Sequence, residues 1–387
     1  MTRTTRLLRE LVALPSVNPA FVPSPAAGAS QPGRALPANS GERQVADFLA
    51  ATAASAGLEV EFQIAAPGRS NILARLPPLH PSRRRILLAP HLDTVSVAHQ
   101  NQFSPQMRNG RLYGRGACDT KGSVAAMLTA LCDLAKAKHR PQETEIVFAG
   151  LVDEENAQLG SRALVANGFK ADLAIVGEPT RLQVVTAHKG SLWLELETRG
   201  RAAHGATPQL GRNAVHDMAR IVDLLQTEYA ESLQQRRHPL LGHPTVSVGV
   251  ICGGTQANIV PDHCTITVDR RTLPGETETS VRREINQLLK IRRLSARIAD
   301  TKLAPCSPME TDAKLPLVRQ FLRQVGQLRP LGVHFFCDAA VLAEGGTPSI
   351  VFGPGDIAQA HTADEWISLA SLERARELLL AFLKSLP

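Results

Sequence analysis

The chain has 387 residues, of which 43% are hydrophobic and 20% charged, with a formal net charge of +7 at pH 7. That length exceeds one ordinary compact domain, and the composition belongs to a folded chain with a sizeable core. No run approaches the roughly 20 apolar residues of a membrane span, and the positive charge lies in short dispersed runs such as Arg83-Arg84-Arg85 among only 4% aromatics, so neither a membrane nor a nucleic-acid partner is expected.

At the N-terminus Arg3, Arg6 and Arg9 are followed by no apolar signal core. Leu7, Leu8, Leu11 and Val12 are instead spaced like one face of a short helix, and a cytoplasmic location is expected. Six scattered cysteines (Cys118, Cys132, Cys252, Cys264, Cys306 and Cys337) form no C-x-x-C pair, which argues against a thiolate zinc site and a disulfide framework. Residues 18–40, rich in Pro, Ala, Gly and Ser, read as a long loop. Asn39 or Ser40 is placed to cap a second helix, in which Val45, Phe48, Leu49 and Ala56 keep one apolar face.

The chain then alternates. Apolar runs at 86–89, 146–152, 173–176 and 349–352 read as buried strands of a mixed, largely parallel sheet. Helical patterns lie between them, for example Val124, Met127, Leu128, Leu131 and Leu134, which makes the class α/β with flanking helices. Residues 183–303 read differently: a strand at 191–198, a helix carrying Val215, Met218, Val222 and Leu225, strands at 245–251 and 265–270, a helix at 279–289 and a strand at 295–303. The order βαββαβ is that of a ferredoxin-like α+β module. Because the α/β pattern resumes after it, it reads as an insertion between two parts, 1–182 and 304–387, of the first domain.

His91 and Asp93 follow the strand ending at Ala89, Glu154 and Glu155 the one ending at Val152, Glu178 the one ending at Val176, and His361 comes after Phe352. Asp119 stands at a helix start behind Gly114-Arg115-Gly116. Singly, each has an ordinary reading: a hydrogen-bonded histidine, a helix cap, a solvated pair of glutamates. Together, two histidines and four acids at the ends of strands are hard to explain as caps, since crowded carboxylates repel without a cation between them. Imidazole and carboxylate without thiolate suit zinc, with manganese or cobalt as substitutes.

Seven stretches now occur in order: His91-Leu92-Asp93-Thr94-Val95, Tyr113-Gly114-Arg115-Gly116-Ala117-Cys118-Asp119-Thr120-Lys121-Gly122, Asp153-Glu154-Glu155, Gly177-Glu178-Pro179-Thr180, Gly200-Arg201-Ala202-Ala203-His204, Asn258-Ile259-Val260-Pro261-Asp262 and Gly353-Pro354-Gly355-Asp356-Ile357-Ala358-Gln359-Ala360-His361. In this the chain resembles the family of acetylornithine deacetylase, succinyl-diaminopimelate desuccinylase, aminoacylase and carboxypeptidase G, over nearly its whole length.

The resemblance implies two zinc ions bridged by Asp119, one completed by His91 and Glu178, the other by Glu155 and His361. It implies Glu154 as the general base, Asp93 as the group that holds the second nitrogen of His91, and a cis peptide bond after Asp119. It further implies that the inserted module is a lid and dimerisation domain. There His204 would hydrogen-bond the oxyanion, in one relative arrangement from the partner of a homodimer, and Arg271 would grip the substrate carboxylate beside Asn258. Lys121, Lys189 and Cys118 are assigned no chemistry. The reaction expected is removal of an N-acyl group from a small amino acid. Acetylornithine is favoured by the stretch from Gly353 to Glu365, and succinyl-diaminopimelate comes next. The same machinery would also serve a dipeptidase or carboxypeptidase, and a non-catalytic binding protein is disfavoured because every metal position and Glu154 are intact.

Overall fold

The computed structural model describes residues 1–22, 41–299 and 306–387. The chain forms two compact units, one of Met1–Thr186, Thr311–Leu331 and Cys337–Pro387, the other of Ala187–Glu310 with Gly332–Phe336.

In the first unit a mixed sheet runs in the order Glu59–Ala66, Arg69–Leu76, Thr144–Gly150, Arg84–Pro90, Leu173–Gly177 and Ser349–Val351. Its last four strands are parallel, with Leu88 opposite Phe148 on one side and Ile175 on the other, and Val351 opposite Val176. These strands are buried on both faces, which is why they read as continuous apolar runs rather than alternating ones. The sheet is antiparallel at its margins. Glu59–Ala66 and Arg69–Leu76 form a hairpin, Arg69–Leu76 pairs antiparallel with Thr144–Gly150, and Val351 meets Val185 antiparallel.

The hairpin escaped the sequence reading, although Val60, Phe62 and Ile64 alternate with Glu59, Glu61 and Gln63 as in a strand; none of the eight residues of Glu59–Ala66 is buried. The helix Lys121–Ala135 is buried almost all round, packed between the sheet and the helices Arg3–Val12 and Leu369–Lys384. A helix enclosed in this way needs no polar stripe, and its N-terminus projects at the same end as the strand termini. Phe321 meets Phe352 and Phe382 edge to face, with centroids 5.0 and 4.9 Å apart, and closes the core beneath the C-terminal helix.

The second unit is built on a four-stranded antiparallel sheet in the order Thr245–Gly253, His263–Thr272, Gly190–Arg199 and Arg297–Ala299. With helices Ala214–Leu224 and Glu278–Ile291 the chain order is βαββαβ, and the sheet places the strands second, third, first, fourth. His263–Thr272 alternates between buried and partly exposed positions. Its inward residues Ile266 and Val268 join Leu192, Leu194, Met218, Ile221, Val281 and Ile285 in one core. The first of these helices runs on through a π turn, Leu225–Tyr229, into Ala230–Gln234.

The cap expected at Asn39 or Ser40 and the end of the last strand beyond Ala299 lie outside the described residues. No helix among the described residues is long and apolar enough to cross a membrane.

Candidate metal centre

Parallel strands bring their carboxyl ends to one side of a sheet, and there the first unit collects its ligand-type side chains. His91 directly follows Arg84–Pro90, Glu178 directly follows Leu173–Gly177, and Glu154 and Glu155 come four and five residues after Gly150. Asp119 precedes the helix Lys121–Ala135, and its peptide bond to Thr120 is cis, as the resemblance implies. The Thr120 hydroxyl donates to the Gly177 carbonyl at 2.7 Å, tying that turn to the strand end that carries Glu178. Gly353 lies against the Glu178 backbone, where an added Cβ would stand 2.5 Å from the Glu178 carbonyl oxygen.

Asp119 occupies the centre. Its Oδ1 is 3.1 Å from His91 Nε2, which is also 3.9 Å from Glu178 Oε1. Its Oδ2 is 3.4 Å from His361 Nε2, which is 3.3 Å from Glu155 Oε2. Each oxygen of one aspartate therefore faces its own histidine, and each histidine has its own glutamate. His361 holds this position with φ of 62°, a left-handed conformation uncommon outside glycine and frequent at functional sites.

The donors fit a divalent cation. His91, Asp119 and Glu155 can each present a ligand atom within 4.8 Å of the others. Glu155 Oε1 and Glu178 Oε1 are buried with no hydrogen-bond partner, a costly arrangement for a carboxylate that nothing else satisfies. The electrostatics agree. Burial and the neighbouring acids push Glu155 and Glu178 above the usual carboxylate range. Hydrogen bonds to Asp119 and Glu155 raise His361 to about 10, and those to Asp119 and Asp93 hold His91 high in spite of its burial. Asp119 itself is held below the usual carboxylate range, against its burial, by the two histidines it faces. Glutamates pushed toward neutrality and histidines toward charge mark a cluster short of positive charge.

Glu154 is buried and its carboxyl is raised well above the ordinary value, first by burial and then by Glu178, Asp338 and Glu155, with His91 opposing. Asp93 stands behind the cluster. Its backbone carbonyl accepts from His91 Nδ1 at 3.0 Å, while its carboxylate Oδ1 is 3.4 Å from the same nitrogen. A carbonyl only accepts, so Nδ1 carries the proton and Nε2 is left to face Asp119. The carboxylate has a second task, accepting the amides of Glu154 and Glu155, each at 3.1 Å.

Behind Asp93 lies a buried polar chain that sequence reasoning missed. Asn18 Nδ2 donates to Asp93 Oδ2 at 2.7 Å and to Asp153 Oδ1 at 3.0 Å. Arg69 donates to Asp153 Oδ1 and, through two nitrogens, to Glu42, all at 2.6 Å. Glu42 in turn accepts the Asp153 amide at 3.0 Å. Asp153 has φ of 69°, and these bonds hold it there. Asp338, also missed, is a buried carboxyl that accepts from the Ser161 hydroxyl at 2.5 Å and is raised by burial to about 7. Its only sequence signal is an acid flanked by Cys337 and small apolar residues.

His204, Asn258 and Arg271 belong to the second unit. The His204 and Asn258 segments are adjacent: His204 bridges Ile259, and the Gly205 amide donates to the Asn258 carbonyl at 2.7 Å. Arg271 reaches Asp269 at 3.1 Å and stacks over Phe336. Cys118 and Lys121 are buried, with Cys118 Sγ on the Asp356 carbonyl and Lys121 Nζ 2.6 Å from the Leu14 carbonyl, which is packing and capping work.

Comparison with known proteins agrees with this geometry. The profile of peptidase family M20/M25/M40 matches residues 87–385. An acetylornithine deacetylase of Myxococcus xanthus is 34% identical over 311 residues, covering 77% of this chain and 79% of its own. Another, of Edwardsiella ictaluri, is 32% identical over 343 residues, covering 86% and 88%. Among solved structures, the fold matches that of the aminopeptidase PepT of Bacillus cereus, with a TM-score of 0.77 at 21% identity over 99% of this chain and 97% of that one. It also matches an M20 family metallo-carboxypeptidase of Sulfolobus solfataricus, with a TM-score of 0.75 at 19% identity over 99% of both chains. With a donor set suited to a divalent metal at the strand ends, the chain belongs to peptidase family M20/M25/M40 and is a metal-dependent hydrolase.

Proposed function

We propose that this hydrolase removes the acyl group from the nitrogen of a small amino acid, and that N-acetyl-L-ornithine is its substrate. The observation that carries the reading is the arrangement around Asp119, whose two oxygens face two separate histidine–glutamate pairs. The substrate is supported by relatives named acetylornithine deacetylase at 30–34% identity over most of the chain.

In this reading His91, Glu178 and Asp119 would hold one zinc ion, and Asp119, Glu155 and His361 would hold a second, with cobalt or manganese as substitutes. Bound there, the metal supplies Lewis-acid polarisation of the scissile carbonyl and activates water near neutral pH. Glu154 takes the proton of the attacking water and delivers it to the departing nitrogen, a task for which a raised carboxyl is suited. Arg271, with Asn258 nearby in sequence, grips the α-carboxylate through its planar fork, and His204 donates to the developing oxyanion. The second unit serves as lid and as the contact of a homodimer, since Thr245–Gly253 is an edge strand with Val250 and Ile251 exposed. Residues 1–182 and 304–387 form the catalytic domain, in a cytoplasmic enzyme of arginine biosynthesis.

The test is hydrolysis of N-acetyl-L-ornithine and N-succinyl-L,L-diaminopimelate by metal-loaded protein, with and without chelator, beside Glu154→Ala. Chelator-sensitive turnover of the acetyl substrate, abolished by the substitution, is expected. Turnover of the succinyl substrate alone, or of dipeptides alone, would overturn the substrate while leaving the metal centre standing.

A further inference from the structure

His361 and Asp119 are 242 positions apart in sequence, yet their side chains meet at 3.4 Å. Among the contacts that join their segments is a carboxylate that takes no part in the ligand cluster. Glu365, four residues after His361 and 1% exposed, points into the turn that precedes the buried helix. Its Oε1 accepts the amides of Cys118 and Asp119 at 2.8 and 3.0 Å. Its Oε2 accepts the Gly116 amide at 2.9 Å and Arg115 Nη1 at 2.7 Å. The Gly114 amide donates to its main-chain carbonyl at 2.9 Å, and the next residue, Trp366, pairs with Tyr113 in a small antiparallel sheet.

Five donors from residues 114–119 thus converge on one residue. Four of them meet two side-chain oxygens, which requires the ionised form against a burial that works to neutralise it. Three are main-chain amides, so the arrangement reads the path of the backbone rather than the identity of the side chains it orders. No other described group accepts the amide of Asp119.

We propose that Glu365 is a positioning residue of the metal centre, which sets the main chain of Asp119 and locks it in register with the His361 segment. This rests on the reading of Asp119 and His361 as metal ligands. It differs in kind from the role of Asp93, which holds His91, Glu154 and Glu155. Because Asp119 faces both histidines, losing Glu365 weakens both halves of the cluster together. Glutamine in its place must turn an NH2 toward two N–H donors, leaving a pair of them unsatisfied whichever way it lies.

The experiment compares wild type, Glu365→Gln and, as a surface control, Glu377→Gln on the C-terminal helix. Zinc affinity is measured by competition with a chelator, the ligand field by the visible spectrum of the cobalt-substituted protein, and the amides of Gly116, Cys118 and Asp119 by hydrogen exchange in the metal-free state. Zinc affinity 10- to 100-fold weaker in Glu365→Gln, the usual range for groups that orient ligands, is expected. An altered cobalt spectrum should accompany it, with Glu377→Gln unchanged. A merely structural glutamate would lower the melting temperature and leave affinity and spectrum as they are, and that result overturns the proposal. Should Glu365→Gln fail to fold, wild type alone decides. Protection of the three amides comparable to that of the core strands supports the clamp, and fast exchange overturns it. Failure of wild type to take up metal at all would overturn the metal-centre reading, and with it this one; normal uptake by wild type and variant alike overturns this one only.

Discussion

Asp93 and Glu154 meet carboxylate to main chain: Oδ1 of Asp93 accepts the Glu154 amide at 3.1 Å, and the same oxygen lies 3.4 Å from His91 Nδ1. One side chain therefore orients a metal-type ligand and the backbone of the proposed base. The two residues should fail in different ways when altered. Glu154→Gln is expected to lower kcat by at least about 100-fold, the contribution of a positioned base, with metal content unchanged. Asp93→Asn, which replaces an acceptor by a donor, should lower zinc affinity by about 10- to 100-fold as well as activity. Metal analysis after gel filtration, run beside steady-state kinetics, separates the two patterns; equal metal loss in both variants would refute the division of roles.

Removing the metal should be felt in stability as well as in turnover. Glu155 and Glu178 each keep a buried oxygen without a hydrogen-bond partner, and the acids around them repel. Binding to the folded state alone at 100 times the dissociation constant is worth about 2.7 kcal/mol. Melting in excess chelator against melting in zinc measures this. An identical midpoint in the two conditions would contradict the assignment of these carboxylates as ligands.

Arg69 is the charge on which the buried acids Glu42 and Asp153 depend, at 2.6 Å from each. Arg69→Met leaves two carboxylates buried and short of partners, so a loss of about 3–5 kcal/mol is expected. Urea unfolding followed by circular dichroism would show it. A change under about 1 kcal/mol, the range of an exposed pair, would mean that the network relaxes without its arginine.

His188 supplies a pH dependence of its own. It is wholly buried, its Nδ1 on the Lys189 carbonyl and its Nε2 without a partner, and burial lowers its pKa from 6.5 to about 4. The folded chain thus prefers the neutral ring. Its contribution is complete above pH 6.5 and is lost as the pH falls toward 4, amounting to about 3 kcal/mol across that window. In His188→Asn the stability between pH 7 and pH 4 should fall less steeply than in wild type. Parallel profiles would show that the ring is hydrated in solution.

The ligand-type residues were legible because metal chemistry admits few side chains and the α/β pattern announces where strands end. His91 and Glu178 follow their strands without an intervening residue. The groups that hold them were not. Glu42 and Arg69 are 27 positions apart and Arg69 and Asp153 are 84 apart, and a charge on a helix or in a turn looks the same in sequence whether it is solvated or buried against a partner. Glu365 closes the stretch that favours acetylornithine, yet its work is done on backbone amides, which leave no trace in the identity of the residues that carry them. In the second unit the alternation of His263–Thr272 made one face of the sheet readable; the alternation of Val60, Phe62 and Ile64 in Glu59–Ala66 carried the same signal but was not read as a strand.

Asn18 and Glu42 both end on Asp153, one at its carboxylate and the other at its amide. Two positions 24 apart in sequence are thereby tied to one residue. Asp153 is a knot between two separate stretches of the chain, and replacing it would free both at once from the turn that carries Glu154 and Glu155.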